Sequence, residues 1–185
     1  MNRQTMRVLG DVYTLHKTVM AGFASYSDFN RVLFRVEPEV KEDLVQILVQ
    51  SNVNPKWASP VIVNFQVKEF NPKVREGMKL RFRLRANPTV TRNGKRYGLI
   101  RDESLEEWLR KKEKNLGVQF HSMSVADEGY VTGSRGKGDH RLNIKTALYH
   151  GFLTIRDGGL FKKALSQGVG PGKAFGCGLL SLARG

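Results

Sequence analysis

"KLRFRLRAN", residues 79–87, alternates along its whole length. Leu80, Phe82 and Leu84 point one way; Lys79, Arg81, Arg83 and Arg85 point the other. A period of two places successive side chains on opposite faces of a strand. One apolar and one charged face predict a half-buried antiparallel strand with a positive outer side. The stretches that follow continue a regular order. "NPTVTRNGKRYG" (87–98) reads as a loop with Asn-Gly turn chemistry. "DESLEEWLRKKEKNL" (102–116) predicts a helix. Its acidic residues come first and its basic residues last, the order the helix dipole favours. "QFHSMSVADEGYVTG" (119–133) and "LNIKTALYHGFLTI" (142–155) predict strands. In the second, Ile144 and Leu148 share one parity and Leu153 and Ile155 the other, which a bulge at Gly151 reconciles. "GLFKKALSQ" (159–167) predicts a helix ended by Gly168, and "GLLSLAR" (178–184) a final strand. Strand, helix, strand, strand, helix, strand is the βαββαβ order of a ferredoxin-like domain.

Upstream, "DVYTLHKTVMAG" (11–22) predicts a short helix capped by Asp11 and closed by Gly22. Val12, Leu15 and Val19 form its core stripe. "RVLFRVE" (31–37) and "DLVQILVQ" (43–50) predict strands joined by the turn "PEVKE". "PVIVNFQVKEF" (60–70) alternates, with Val61, Val63, Phe65 and Val67 on one face. This half has the same order without an opening strand. The fold class expected is α+β, with two tandem ferredoxin-like domains at 1–78 and 79–185.

Bulk composition narrows the function. The chain has 185 residues, 40% of them hydrophobic, enough for a sizeable core. No apolar run reaches the length of about 18 residues that a membrane helix needs. "MNRQTMRVLG" lacks the apolar core of a secretory signal. One cysteine, Cys177, excludes an internal disulfide and a cysteine-rich zinc site, and a reducing cytoplasm fits. The 31 Lys and Arg against 17 Asp and Glu give a net charge of +14, which attracts polyanions. The excess is clustered: residues 73–101 hold one acid, Glu76, amid many Lys and Arg. Nucleic acid is the partner this clustering favours. An anionic membrane would suit the charge, but no basic amphipathic helix with an aromatic lipid face is present.

"GVGPGKAFGCG" (168–178) invites a phosphate reading. It is not a Walker A loop, because Gln167 stands where the first glycine belongs and Ala174 replaces the magnesium-binding hydroxyl. The dinucleotide pattern G-x-G-x-x-G ends on Lys173 or Phe175 instead of glycine. A nucleotide-dependent enzyme is therefore disfavoured. Two readings stay open: a backbone anion nest with Lys173, Gly170 and Gly172 around a phosphate, or a structural connector. "SRGKGDHR" (134–141) is a glycine-spaced basic loop. Its Arg135, Lys137, His140 and Arg141 are candidate RNA contacts.

Four stretches together resemble one family. "GVGPGKAFGCGLLSLA" looks like the C-terminal glycine loop of the CRISPR repeat-RNA endoribonucleases. "DVYTLHKTV" resembles the catalytic helix of the type I-E members, the CasE family. "FRLRANPTVTRNGKR" is similar to the opening of that family's second domain, and "YHGFLTI" to its long strand. The motifs occur in the family's order and cover most of the chain. The resemblance implies two ferredoxin-like domains and a metal-independent endoribonuclease without a cofactor. Its substrate is the repeat hairpin of precursor CRISPR RNA, and it retains the product within Cascade beside the other subunits of that antiviral complex. It also implies an apolar strand before the catalytic helix. "MNRQTM" is too polar for one, so the first sheet is expected to lack a central strand, leaving residues 60–70 without a neighbour.

Metal-free RNA cleavage uses the adjacent 2′-OH as nucleophile and leaves a 2′,3′-cyclic phosphate; DNA lacks that hydroxyl. It needs a base, an acid and positive charge at the phosphate. His16 titrates near neutrality, and Tyr13, three residues earlier, shares its helical face. Both match the family's Tyr-x-x-His helix. Sequence leaves open which is acid and which base, and whether Tyr13 only orients His16. The spacing of His121, His140 and His150 fits no metal site. A non-catalytic RNA-binding subunit on the same scaffold is the main rival reading. An RRM module is disfavoured because no aromatic RNP1 strand is present.

Overall fold

The computed structural model describes residues 3–23, 31–41, 44–134 and 141–185, with the backbone alone at 38–41. Helices α1 (Arg3–Leu9) and α2 (Val12–Met20) precede strands β1 (Val32–Lys41) and β2 (Leu44–Ser51). Then come β3 (Lys79–Ala86), a hairpin β4 (Thr89–Arg92) and β5 (Lys95–Gly98), and helices α3 (Asp102–Arg110) and α4 (Glu113–Leu116). Long strands β6 (Val118–Ser134) and β7 (Arg141–Ile155), helix α5 (Gly158–Gln167), a 3-10 turn at Lys173–Phe175 and β8 (Leu180–Arg184) complete the chain.

The second half has the expected order. Its sheet runs β6-β7-β3-β8, and every neighbouring pair is antiparallel. Counting β3 as its first strand, the spatial order is second, third, first, fourth, the ferredoxin-like arrangement. The alternation of β3 is realised: Leu80, Phe82 and Leu84 are buried, while Lys79, Arg81 and Arg83 are exposed. Leu105 and Leu109 of α3 and Phe161 and Leu165 of α5 close over the same apolar face. Tyr149 is fully buried in this core, and its hydroxyl donates to the Leu105 carbonyl at 3.1 Å. Asn93 and Gly94 both have positive φ, the backbone a two-residue hairpin turn requires, so the expected loop at 87–98 carries two short strands. The expected helix at 102–116 is interrupted at Lys111 and Lys112. The bulge lies on the facing strand beside Gly151, opposite Phe152. On β6 two residues, His121 and Ser122, face one on β7, and a β-carbon on Gly151 would collide with the Ser122 carbonyl.

The first half departs further from expectation. Residues Arg3–Leu9 are helical, and Val8 packs into a core with Leu15, Val19, Phe23, Val32 and Phe34. β1 runs on through the expected turn to Lys41, with its register against β2 shifting between Val36 and Val40. Among the described residues this sheet has two strands. Residues 60–70 form no strand. Val63, Phe65, Val67 and Phe70 are 69%, 45%, 54% and 51% exposed. Alternation gives a strand an apolar face but not a ladder; backbone N–H and C=O groups need a neighbouring strand, and no described strand pairs with this segment. Trp57 and Val61 nevertheless pack on the first core, and the Trp57 indole donates to the Val19 carbonyl at 2.9 Å.

A buried cation joins the halves. Arg35 on β1 is 3% exposed. Its Nη1 donates to the Arg83 carbonyl on β3 at 3.0 Å and to the Leu179 carbonyl at 3.4 Å. Its Nη2 donates to Ser181 Oγ on β8 at 2.9 Å and to Glu37 Oε1 at 2.6 Å. Glu37 Oε2 takes the exposed Arg83 side chain at 3.1 Å. Burial draws the guanidinium below its ordinary pKa, and Glu37 acts in the opposite sense. The outer face of β3 is thus partly committed to internal pairs, since Arg85 also meets Glu128 at 2.6 Å. Glu37→Ala leaves the Arg35 charge buried without its counter-ion and should cost about 3 kcal/mol or more in urea unfolding. Arg83→Ala, which removes a solvent-screened partner, should cost less than about 1 kcal/mol.

Candidate active site and RNA-binding surface

Helix α2 forms because Asp11 caps it and its apolar stripe is buried. Asp11, in extended backbone, accepts from the Thr14 amide through Oδ1 at 2.6 Å. Val12, Leu15 and Val19 are buried. The remaining faces carry Tyr13 and His16, both half-buried, and Lys17, which is exposed. Lys17 Nζ lies 4.7 Å from the centre of the Tyr13 ring, a cation–π contact that holds positive charge beside the phenol.

His16 packs against the glycine loop. Its ring centre is 6.5 Å from that of Phe175. Nδ1 is buried and has no hydrogen-bond partner among the described residues. Burial pushes the imidazole pKa below its ordinary 6.5. Without an acceptor on Nδ1 nothing compensates the desolvation of the charged ring, so the neutral form predominates near neutral pH.

The glycine loop is a clasp. Gly168, Gly170, Gly172, Gly176 and Gly178 all have positive φ. A β-carbon on Gly170 would lie 2.8 Å from the Trp108 ring, and one on Gly172 would lie 3.0 Å from Asn87 Cβ. Protein groups, not open space, lie against these glycines. The amides of Val169, Phe175 and Cys177 bond within the loop, and that of Gly178 donates to the Arg85 carbonyl at 2.7 Å. Lys173 turns inward: Nζ donates to the Gly170 carbonyl at 2.6 Å. Burial, then the charges of Arg31 and Lys112, lower its pKa. Cys177 is fully buried, and desolvation raises its thiol pKa to about 12, so it is inert.

The third component is the root of the β6–β7 hairpin. Ser134 is paired with Arg141 across the ladder, and Arg141 is exposed. A β-carbon on Gly133 would be 3.2 Å from the Tyr13 amide nitrogen. The structure therefore brings Tyr13 to the hairpin root and His16 to the loop of Gly170, Gly172 and Lys173. Arg135, Lys137 and His140 lie outside the described residues. His121 is removed from this site: its Nε2 bonds Thr154 Oγ1 at 2.7 Å. Sequence reasoning missed Phe175, which gives no signal beyond an aromatic in a glycine loop. It also missed Lys17, one position past His16 and readable as a cation one turn from Tyr13. No described helix is long and apolar enough to cross a membrane.

Comparison with known proteins identifies the family. The family model described as "CRISPR associated protein" matches residues 1–184. The CRISPR-associated endoribonuclease Cse3 of Thermus thermophilus is 30% identical over 98% of this chain and 94% of its own length. The Cascade subunit CasE of Escherichia coli K12 is 32% identical over 94% of this chain and 92% of its own. A solved structure of the Thermus thermophilus Cse3, bound to an RNA representing a pre-cleavage complex, superposes with a TM-score of 0.87 at 29% identity, covering 98% of this chain and 93% of that one. With the family model matched over residues 1–184, the chain is a member of the CRISPR associated protein family.

Proposed function

We propose that this protein is an endoribonuclease that cuts the repeat hairpin of precursor CRISPR RNA and keeps the product as a Cascade subunit. The observation that carries the reading is the convergence of three parts: the Tyr13–His16 helix, the glycine clasp and the root of the basic hairpin. The relatives' endoribonuclease and Cascade names support it. The chain divides at 78/79, with the catalytic helix on residues 1–78 and the glycine clasp and basic loop on 79–185. A partner transcribed and used inside the cell places the protein in the cytoplasm.

His16, neutral near pH 7, takes the proton of the 2′-OH. Because Nδ1 is buried, Nε2 is the nitrogen that faces the substrate. The 2′-oxygen forms a bond to phosphorus as the bond to the 5′-oxygen breaks. The products are a 2′,3′-cyclic phosphate and a 5′-hydroxyl. Tyr13 donates its phenol proton to the leaving 5′-oxygen, the proton on His16 then returns through solvent to the phenolate, and Lys17 opposes the charge that builds on the phosphoryl oxygens. No metal takes part. Arg135, Lys137, His140 and Arg141 grip the stem. Lys173, Gly170 and Gly172 contribute after the Lys173 amine swings off the Gly170 carbonyl.

Repeat transcripts incubated with the protein in EDTA should be cut at one position. His16→Ala should slow single-turnover cleavage by about 10²–10⁴-fold and leave hairpin affinity nearly unchanged. Wild-type cleavage by the variant would remove His16 from the reaction, and no cleavage by the parent protein would favour the non-catalytic reading. The neutral base also fixes a pH dependence. The kcat/KM for cleavage should rise with pH through an apparent pKa below the ordinary 6.5 and then level off. A rate that instead falls as pH rises through the His16 range would mean that protonated His16 is the active form. Neutralising Arg135, Lys137 and Arg141 together should flatten the salt dependence of hairpin binding, each lost phosphate contact reducing the log–log slope by about 0.7–0.9. An unchanged slope would place these side chains in solvent.

A further inference from the structure

Asp11 is used twice. Oδ1 caps α2, as above, while Oδ2 accepts from the Ser134 amide at 2.8 Å, 123 residues along the chain. Capping needs one oxygen, and serine, threonine or asparagine supplies it. The second oxygen ties the first turn of the catalytic helix to the last residue of β6, where the basic loop begins. Shape reinforces the bond. A β-carbon on Gly133 would lie 2.9 Å from Val12 Cγ2 and 3.2 Å from the Tyr13 nitrogen. Gly133 has no positive φ, so glycine serves here for close approach, not for backbone conformation. Burial raises the Asp11 pKa, yet the bonds from Thr14, Ser134 and Tyr13 outweigh it and hold the carboxyl below its ordinary 3.8. It is an anion throughout the working pH range.

We infer that Asp11 is a positioning residue for cleavage, fixing the Tyr13–His16 helix in register with the hairpin root and so with the RNA that the hairpin holds. The inference rests on the cleavage reading above. In-line attack needs the base, the 2′-oxygen and the phosphorus in one geometry, and a misplacement of about 1 Å costs about 10²-fold in rate. The scissile phosphate is placed by the stem, and the stem by the hairpin. His16 sits on another element, so a link between the two sets the rate without touching RNA.

Asp11→Asn separates the two uses. Asparagine keeps a capping oxygen but turns an NH2 toward the Ser134 N–H, setting donor against donor. Gly133→Ala opens the same contact with the cap untouched. Both variants should cleave about 10- to 100-fold more slowly in single turnover at saturating protein. Both should bind a hairpin carrying a 2′-deoxy residue at the cut site within about twofold of the parent, because the phosphate contacts that dominate affinity are intact. Parent-like rates in both would reduce Asp11 to a helix cap and overturn the inference. So would a rate loss matched by loss of hairpin affinity or of thermal stability, which is what a general structural role gives. Failure of the parent protein to cleave would instead overturn the reading beneath it, and the parent control reports that separately.

Discussion

A guanidinium cannot be left buried without acceptors, and Arg35 is buried where two sheets meet. Its acceptors are the Arg83 and Leu179 carbonyls, Ser181 Oγ and Glu37. All but Glu37 belong to the second half of the chain, so satisfying the cation fixes β1 against β3 and β8. Such a pair adds little net stability over an apolar substitute, but breaking it is costly, which makes it a device for register. Everything at the active site inherits that register. β1 contributes Val32 and Phe34 to the core on which Leu15 and Val19 of α2 pack. Once β1 is placed, the face of α2 that bears Tyr13 and His16 is placed too.

The glycine loop completes the same joint. Leu33 and Phe34 of β1 approach Gly168 and Gly176, while Trp108 of α3 approaches Gly170. Each glycine combines positive φ with a neighbour where a side chain would stand. The loop threads between the two cores, and its 3-10 turn delivers Phe175 to His16. Burial in this packing then depresses the His16 pKa. A chain of packing contacts thus runs from a buried arginine to the protonation state of the proposed base.

Local chemistry in the sequence foretold much of this, and long-range pairing foretold little. The alternation of Leu80, Phe82 and Leu84, the Asp11 cap, the Asn93-Gly94 turn and the strand–helix order after residue 79 are all realised, because each is written within a few residues. Residues 60–70 have equally clean alternation and form no strand, since a ladder partner is not a local property. Pro38 suggested a turn, but the β1 backbone continues past it with a shifted register. Gly151 was legible as a place of irregularity; only the paired structure shows that the extra residue sits on β6. At the site, Tyr13 and His16 stood out through resemblance to a motif. The contact between Asp11 and Ser134 spans 123 residues and left no trace in either stretch. Lys173 looked like a phosphate ligand from its neighbours, yet its amine is held by the Gly170 carbonyl, which composition cannot reveal.

The central claim is that a neutral, half-buried histidine on α2 drives attack by an RNA 2′-hydroxyl, and one substitution in the RNA tests it most directly. A repeat hairpin with a single 2′-deoxy residue on the 5′ side of the cleaved phosphate should bind as tightly as the unmodified hairpin and remain uncut in EDTA. The unmodified hairpin should yield a 2′,3′-cyclic phosphate and a 5′-hydroxyl. Cleavage of the deoxy substrate, or products ending in a 3′-hydroxyl and a 5′-phosphate, would mean that water is the nucleophile and would contradict the account.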